Sequence, residues 1–194
     1  DRMLSLGFTE ELDELMALMP KQKQTLLFSA TFPEQVKVLT QDLLENPVEI
    51  QVQNAESSTL VQRVFNVNKG QKTALLAHLI KEHEWKQVLV FVNAKKACEH
   101  LADKLSKRGV YKAGQIDVLI ATDIAARGLD IEKLPVVINF DLPRSPADYM
   151  HRIGRSGRAG EVGLAFSLID YDDFHHFKVI EKKRIKIITF KLLA

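Results

Sequence analysis

The sequence of 194 residues has a single cysteine and no long apolar run. One cysteine, Cys98, excludes an internal disulfide and a cysteine-rich zinc site, which favours a reducing compartment. A membrane span needs about 18 or more consecutive apolar residues, and no stretch of this chain approaches that length. Residues 1–7 also lack the basic and then apolar pattern of a signal peptide. We therefore expect a cytoplasmic protein that does not enter a membrane.

The chain also lacks a strong charge of either sign, because 27 basic and 25 acidic residues leave a formal net charge of +2. A nucleic-acid partner would therefore require basic groups that are clustered at one place. With 46% hydrophobic and 27% charged residues, the composition is typical of a globular protein and not of a disordered one.

Short β-branched runs alternate with amphipathic stretches, a pattern that predicts an α/β protein with a parallel sheet covered by helices. The predicted strands are Thr25–Ser29, Val48–Val52, Val61–Val67, Gln87–Val92, Asp117–Ala121, Val136–Phe140 and Gly163–Ile169. Helical spacing or helix-start signals predict helices over Pro33–Leu44, Ala94–Leu105, Pro146–Ile153 and Tyr171–Lys183.

A polar stretch without periodicity divides the chain and predicts an interdomain linker at residues 53–60. The segment before it, residues 1–52, is too short to close a hydrophobic core of its own. We therefore interpret residues 1–52 as the end of a larger domain and residues 61–194 as a second domain.

The densest cluster of unusual residues is the segment 151–160, with the sequence HRIGRSGRAG. Guanidinium groups resist burial and glycine costs backbone entropy, so three arginines and three glycines in ten residues make a poor core. Arg155 and Arg158 are three residues apart after a predicted helix, so both can face one polyanion. A solvated helix end that runs into a glycine turn is the alternative interpretation.

Two further polar segments follow predicted strands. Thr122 and Asp123 come directly after Asp117–Ala121, at the carboxyl end where parallel α/β sheets bind ligands. The tripeptide Ser29-Ala30-Thr31 ends the first predicted strand, and its hydroxyls could bond a neighbouring acid or cap the next helix. The adjacent His175 and His176 point about 100° apart on a helix, so we predict no metal site there.

Taken in order, these segments resemble the DEAD-box family of ATP-dependent RNA helicases in superfamily 2. Within that family, the general resemblance is to bacterial RhlE-like members. The resemblance implies two RecA-like domains with helices on both faces of each sheet. Asp1 would be the last aspartate of the Asp-Glu-Ala-Asp tetrad. The other matches are Ser29-Ala30-Thr31 with motif III, Val90–Asn93 with motif IV, Ala121–Asp130 with motif V and His151–Arg158 with motif VI.

The resemblance also implies a role for each matched residue. Arg155 and Arg158 would be arginine fingers that reach the γ-phosphate of ATP, and His151 would link motif VI to motifs II and III. Gly128 and Asp130 would meet the nucleotide, with Asp130 at the ribose. The remaining roles are RNA contact for Thr122, Asn93 and Gly154, and coupling of nucleotide state to domain closure for Ser29 and Thr31.

The function implied by the resemblance is ATP hydrolysis coupled to local RNA duplex unwinding or RNP remodelling. ATP and Mg²⁺ would be held mainly by the part upstream of Asp1, so the chain alone is expected to be inactive. The residues do not indicate accessory proteins. Two alternatives stay open: a non-catalytic RNA-binding fragment of such a protein, and a superfamily 2 motor that acts on DNA.

The sequence departs from the family at two places within the second domain. Val110 is followed at once by Tyr111-Lys112-Ala113-Gly114, which resembles the far end of an element that contains a strand and a helix in the family. We therefore predict that a segment is missing between Val110 and Tyr111. Ala94 stands where many members carry Thr, which removes one hydroxyl donor to an RNA phosphate.

Overall fold

The computed structural model describes residues 8–29, 34–50, 60–110, 117–126, 134–157, 162–182 and 188–191. The chain divides into two compact units, Asp1–Ala55 and Glu56–Ala194, which we call the N-terminal and C-terminal units. The boundary between these units lies within the predicted linker. The predicted missing segment adjoins Tyr111, which lies outside the described residues.

The described part of the N-terminal unit contains two helices, α1 (Thr9–Leu18) and α2 (Glu34–Leu43). The prediction of α2 is confirmed, whereas the two predicted strands in this unit are wrong for their described residues. Phe28 and Val48 lie in those segments and are exposed by 88% and 87%. A strand persists only within a hydrogen-bonded ladder, and the described residues of this unit provide no partner strand.

The C-terminal unit is built on one sheet of six parallel strands in the order β3-β2-β4-β5-β1-β6. The five strands predicted in this unit are confirmed, with ends that differ by at most one residue. The sixth strand, at one edge, was not predicted. The strands are β1 (Leu60–Asn66), β2 (Gln87–Phe91), β3 (Asp117–Ala121), β4 (Val136–Asn139), β5 (Gly163–Ile169) and β6 (Ile188–Lys191).

Helices cover both faces of this sheet, as predicted. The helices on one face are α3 (Lys72–Glu82), which follows a 3₁₀ turn at Lys69–Gln71, and α4 (Lys95–Lys107). The helices on the other face are α5 (Asp123–Ala126), α6 (Pro146–Ile153) and α7 (Phe174–Glu181). Alternation along β2 shows how the strands serve both layers, because Val88 and Val90 pack with the first layer and Leu89 and Phe91 with the second.

Local capping explains where α6 begins. The Ser145 hydroxyl oxygen accepts a hydrogen bond from the Asp148 N–H at 3.1 Å, and Pro146 occupies the first helical position. Below the helix, Tyr149, Arg152 and Ile153 are buried against the sheet. The spacing of these side chains fixes which face of α6 points to the sheet, and therefore which side chains point away from it.

Helix α7 is shorter than predicted, because it begins at Phe174 and not at Tyr171. The Asp170 carboxylate accepts hydrogen bonds from the N–H groups of Asp172 and Asp173, at 3.0 and 3.2 Å. These are the hydrogen bonds of an N-cap, and the residues between Asp170 and α7 form a turn in which the Phe174 N–H donates to the Tyr171 carbonyl at 3.4 Å.

A buried ion cluster fastens the start of α3 to this turn. The Lys72 ammonium lies 3.1 Å from an Asp170 oxygen and 2.7 Å from an Asp173 oxygen. Burial alone would raise the pKa of Asp170, but the hydrogen bond and charge of Lys72, with the two backbone donors, hold that pKa below its ordinary value. The cluster therefore stabilises the fold in the ionised form of Asp170.

Two features are absent from the described residues. No helix among them is long and apolar enough to cross a bilayer. No three His, Cys, Asp or Glu side chains in that part of the chain converge as metal ligands. The His176 Nε2 atom instead lies 2.7 Å from the carbonyl oxygen of Pro143.

Candidate functional site

The candidate site lies at the carboxyl edge of the sheet, where β2, β3 and β4 end beside α6. Asn93 follows β2, Thr122 and Asp123 follow β3, and Asp141 follows β4. Because the carboxyl ends of parallel strands meet at one edge, these polar residues are brought together. The C-terminal half of α6 lies against the same edge and supplies Arg152.

Arg152 is the centre of this arrangement, and its side chain is buried with only 1% exposed. Its Nε and Nη2 atoms donate to the two carboxylate oxygens of Asp123, at 2.7 and 2.8 Å. This bidentate, charge-assisted pair is the strongest arrangement that a guanidinium makes with a carboxylate. Three further bonds reach Asn139 Oδ1 at 3.2 Å, the Asp141 carbonyl at 2.7 Å and Asn93 Oδ1 at 3.1 Å.

The guanidinium also lies 4.9 Å from the centre of the Phe91 ring, in a cation–π contact. Its five hydrogen bonds use all five N–H donors of an arginine side chain. Arg152 thus ties α6 to the ends of three strands, and no donor is left for a ligand.

Asp123 was predicted at this edge of the sheet, whereas no role was predicted for Arg152. The expectation that arginines of this segment stay out of the core is wrong for Arg152, because its partners compensate fully for the loss of water. The usable signal was spacing: Arg152 lies three residues after Tyr149 and next to Ile153, on the apolar face of α6.

Asn93 was predicted to contact RNA, and the structure gives its side chain internal partners. Its Oδ1 atom accepts from Arg152, and its Nδ2 atom donates to the Leu142 carbonyl at 3.0 Å. Its backbone N–H donates to Asp141 Oδ2 at 3.0 Å. Asn93 therefore supports Arg152, while its contact with RNA stays a prediction.

Thr122 caps the short helix that follows β3. Its Oγ1 atom accepts a hydrogen bond from the Ala125 N–H at 3.3 Å, and its carbonyl accepts from the Ala126 N–H at 2.9 Å. A hydroxyl that accepts one bond still has a proton to donate. The geometry is therefore compatible with a contact from Thr122 to a phosphate oxygen.

Arg155 lies just beyond the end of α6 and is held there by its backbone. Its carbonyl accepts from the Leu134 N–H at 3.1 Å, and the next residue, Ser156, donates through Oγ to the Leu134 carbonyl at 2.8 Å. The Arg155 side chain is half-buried. Within the described ranges, no carboxylate pairs with its guanidinium. This contrasts with Arg152, three residues earlier, whose donors are all engaged.

Glycine is required at two places beside Arg155. Gly157 has a φ of 74°, in the left-handed region that side chains disfavour, and Gly163 packs directly on it. A Cβ atom at Gly163 would lie 2.5 Å from the Gly157 Cα atom, closer than real Cβ contacts allow. The segment after α6 is therefore pressed against the start of β5.

The other predicted site residues fall in three groups. Gly154 is the C-terminal cap of α6, and His151 is exposed on that helix. Ser29 is exposed in the N-terminal unit. Asp1, Thr31, Gly128, Asp130 and Arg158 lie outside the described residues.

The arrangement around Arg155 can bind an anion with little rearrangement of the protein. A guanidinium that has no carboxylate partner among the described residues can pair with phosphate oxygens through two parallel hydrogen bonds. Helix α6, which precedes Arg155, is already locked to the sheet by Arg152, so little reorganisation is needed on binding.

Comparison with known proteins agrees with this geometry. Residues 110–160 match the family described as the helicase conserved C-terminal domain. The ATP-dependent RNA helicase RhlB of Pseudomonas syringae is 37% identical to this chain over 207 residues, which cover 94% of this chain and 52% of RhlB. The chain spans about half the length of the curated relatives it matches.

Solved structures give the same answer. The DEAD-box protein SrmB of E. coli has a TM-score of 0.61 and 33% identity, and the match covers 70% of this chain and 91% of that one. The S. cerevisiae protein Dbp5, solved with RNA and ADP BeF₃, has a TM-score of 0.80 and 28% identity, over 95% of this chain and 56% of that one.

The sheet and helices described above are therefore those of a RecA-like helicase domain. The chain belongs to the DEAD-box family of ATP-dependent RNA helicases. Both the family and the RecA-like fold were predicted from the sequence and are confirmed. The RhlE-like resemblance is approximate, because the bacterial relatives include RhlB and CshA proteins.

Proposed function

We propose that the complete protein is an ATP-dependent RNA helicase, which couples ATP hydrolysis to local separation of RNA duplexes or remodelling of RNP. Family membership supports this proposal, as do the names of relatives such as RhlB, an ATP-dependent RNA helicase. The Dbp5 structure that this chain resembles contains RNA and ADP BeF₃. A cytoplasmic location belongs to the same proposal and rests on the likeness to bacterial helicases.

Within that protein, residues 1–52 would be the end of the first RecA-like domain, 53–60 the linker and 61–194 the second domain. The division of the chain near residue 55 supports this assignment. The SrmB match supports it as well, since 70% of this chain covers 91% of that structure.

The missing segment is part of the proposal. The alignment with RhlB runs over 207 positions, more than the 194 residues of this chain, so RhlB has residues without a counterpart here. We place a strand and a helix of the natural protein between Val110 and Tyr111, beside β3, which lies at the edge of the sheet. The intact mass of the natural protein tests this, because a continuous chain at this point would exclude the segment.

The observation that carries the proposal is the contrast between two arginines of one short segment. Arg152 uses every donor inside the protein, whereas Arg155 has no carboxylate partner among the described residues and lies beyond the end of α6, where its carbonyl bonds the Leu134 N–H. Arg155 fits a triphosphate, whose transferred group needs charge neutralisation in the transition state. Arg158, Gly128 and Asp130 would complete the nucleotide contacts.

Other groups would supply the rest of the reaction. Mg²⁺ would accompany ATP and be held mainly by the upstream part of the protein, so this chain alone would not hydrolyse ATP. RNA would contact the backbone and side chains near Thr122, Asn93 and Gly154. Such contacts to phosphate and sugar position a strand without reading its sequence.

The test is an ATPase assay of the full-length protein and of this chain, each with matched RNA and DNA single strands. We expect hydrolysis by the full-length protein only, stimulated by RNA and not by DNA. Because the 2′-hydroxyl distinguishes the two nucleic acids, equal stimulation by DNA would favour a DNA motor. RNA binding without hydrolysis by the full-length protein would favour a non-catalytic binding protein.

A further inference from the structure

A chain of buried polar groups runs beneath α6, behind the site described above. Its members are Arg152, Asn139, Ser167, Tyr149 and Gln62, and each of them is at most 8% exposed. Asn139 and Ser167 face each other on neighbouring strands, β4 and β5. Gln62 lies on β1, so the chain crosses half of the sheet.

Hydrogen bonds link the members of this chain one after another. A guanidinium only donates, so Asn139 must present its carbonyl oxygen to Arg152 Nη1, 3.2 Å away. The Asn139 Nδ2 atom then donates to Ser167 Oγ at 3.3 Å. Ser167 is hydrogen bonded to the Tyr149 phenol, and the Tyr149 O–H donates to Gln62 Oε1 at 3.1 Å. Asn139 thus accepts from Arg152 and donates to Ser167, while Tyr149 contacts Ser167 and donates to Gln62.

We propose that this polar relay positions Arg155, with Tyr149 as a positioning residue for the finger. The inference rests on the proposed function of Arg155. Tyr149 and Arg152 are both on the buried face of α6, three residues apart, so the relay holds that helix at two points. Arg155 lies two residues after the end of the helix, and its carbonyl accepts a hydrogen bond from the Leu134 N–H.

The physical reason for such a device is specificity of position. Apolar packing alone tolerates small shifts of a helix, whereas buried polar groups leave a costly orphan whenever one of them moves. Burial raises the pKa of the Tyr149 phenol, against the effect of its Ser167 hydrogen bond, so the phenol stays protonated as the donor to Gln62. Contact between the Arg155 guanidinium and one particular phosphate oxygen requires that α6 keep a single position.

The closing experiment is a double-mutant cycle in the full-length protein, with Tyr149→Phe and Arg155→Ala alone and together. Steady-state ATP hydrolysis in the presence of RNA, measured over a range of ATP concentrations, gives kcat and KM. We expect Tyr149→Phe to lower kcat by up to about a hundredfold, the scale of a misplaced catalytic group, with KM nearly unchanged. In the Arg155→Ala background, the same substitution should cause no further loss.

Two variants separate positioning from general stability. Ser167→Ala interrupts the relay at another member and should reproduce the loss of kcat. Ile180→Val trims the same apolar cluster without touching a polar group, so it should lower the stability of the fold and leave kcat unchanged.

The outcomes distinguish this inference from the proposed function. The relay alone would be overturned if Arg155→Ala lowers kcat as expected but Tyr149→Phe leaves kcat unchanged. It would also be overturned if the effect of Tyr149→Phe on kcat adds to that of Arg155→Ala in the double variant. An equal loss of kcat with Ile180→Val would also overturn it. Unchanged turnover with Arg155→Ala would overturn the finger itself, and with it the relay that acts through it.

Discussion

At the scale of single residues, two arginines of one motif differ in burial and in hydrogen-bond partners for electrostatic reasons. Arg152 is buried because Asp123 and three oxygens from Asn139, Asp141 and Asn93 replace its water completely. Arg155 receives no such compensation from the described residues. Type and spacing of arginines alone therefore do not separate a structural guanidinium from one that is available to a ligand.

Removal of the Arg152 side chain should be strongly destabilising. Arg152→Ala removes the bidentate guanidinium partner of Asp123 and the Arg152 donor to the buried Asn139 oxygen, so we expect a loss of about 3 to 5 kcal/mol in the free energy of unfolding. Trp85, the single tryptophan of the chain, is buried in the C-terminal unit, so urea unfolding followed by its fluorescence reports on that unit.

The matched control is Arg144→Ala, which removes an exposed guanidinium and should change the free energy of unfolding by less than about 0.5 kcal/mol. If the two variants unfold at the same urea concentration, the central role of Arg152 is wrong.

At the scale of elements, the sequence predicts a strand well when its partners belong to the same unit. The β-branched runs of β1 to β5 find neighbours in one sheet and form as expected. The runs at 25–29 and 48–52 are equally typical of strands in sequence, but pairing is a property of two segments and not of one. Strand β6 shows the converse, since its Ile188–Lys191 run was left unassigned although β1 provides a partner.

The start of helix α6 was predicted correctly from local signals, whereas the start of helix α7 was not. Helix α6 carries an N-cap serine and an N1 proline, and both signals act within one turn. Helix α7 starts later than predicted, since the three residues after Asp170 form a turn whose N–H groups bond the Asp170 carboxylate. The Lys72 contact that holds Asp170 comes from a helix about a hundred residues away, and no local pattern shows it.

The junction of α3 with the turn before α7 should weaken in acid. The pKa of Asp170 is lower in the folded state, so its contribution is complete above the unfolded pKa of about 3.9 and is lost as pH falls through the folded value. Asp170→Asn should therefore lower the free energy of unfolding at pH 7, and the difference from wild type should shrink below about pH 4.

Urea unfolding across this pH range, followed by Trp85 fluorescence, measures that difference. Asp172→Asn is the control, because its exposed side chain lies outside the ion cluster. A difference between wild type and Asp170→Asn that stays constant from pH 7 to pH 3 would contradict the assignment.

At the scale of the whole molecule, family membership follows from motif order, whereas residue roles need the three-dimensional site. The order of motifs identified the DEAD-box family before any fold was known. Asn93 illustrates what the order could not give, because its predicted RNA contact coexists with three internal hydrogen bonds. Those bonds depend on strand ends that lie far apart in sequence and meet only in the sheet.

Nucleotide and RNA should bind the full-length protein cooperatively. If both prefer one closed arrangement of two domains, each tightens the other's binding by the same factor. We expect a non-hydrolysable ATP analogue to strengthen RNA binding, and RNA to strengthen binding of the analogue equally, in fluorescence titrations. This chain by itself should show no such coupling, and unequal factors would rule out a single shared transition.

The most direct test of the account is the ATPase rate of Arg155→Ala in the full-length protein. RNA-stimulated kcat should fall about 10³-fold or more, the scale reported for arginine fingers, while the fold remains intact. Arg108→Ala removes an exposed guanidinium at the far end of α4, and its turnover should match wild type. Wild-type turnover in Arg155→Ala would contradict the account.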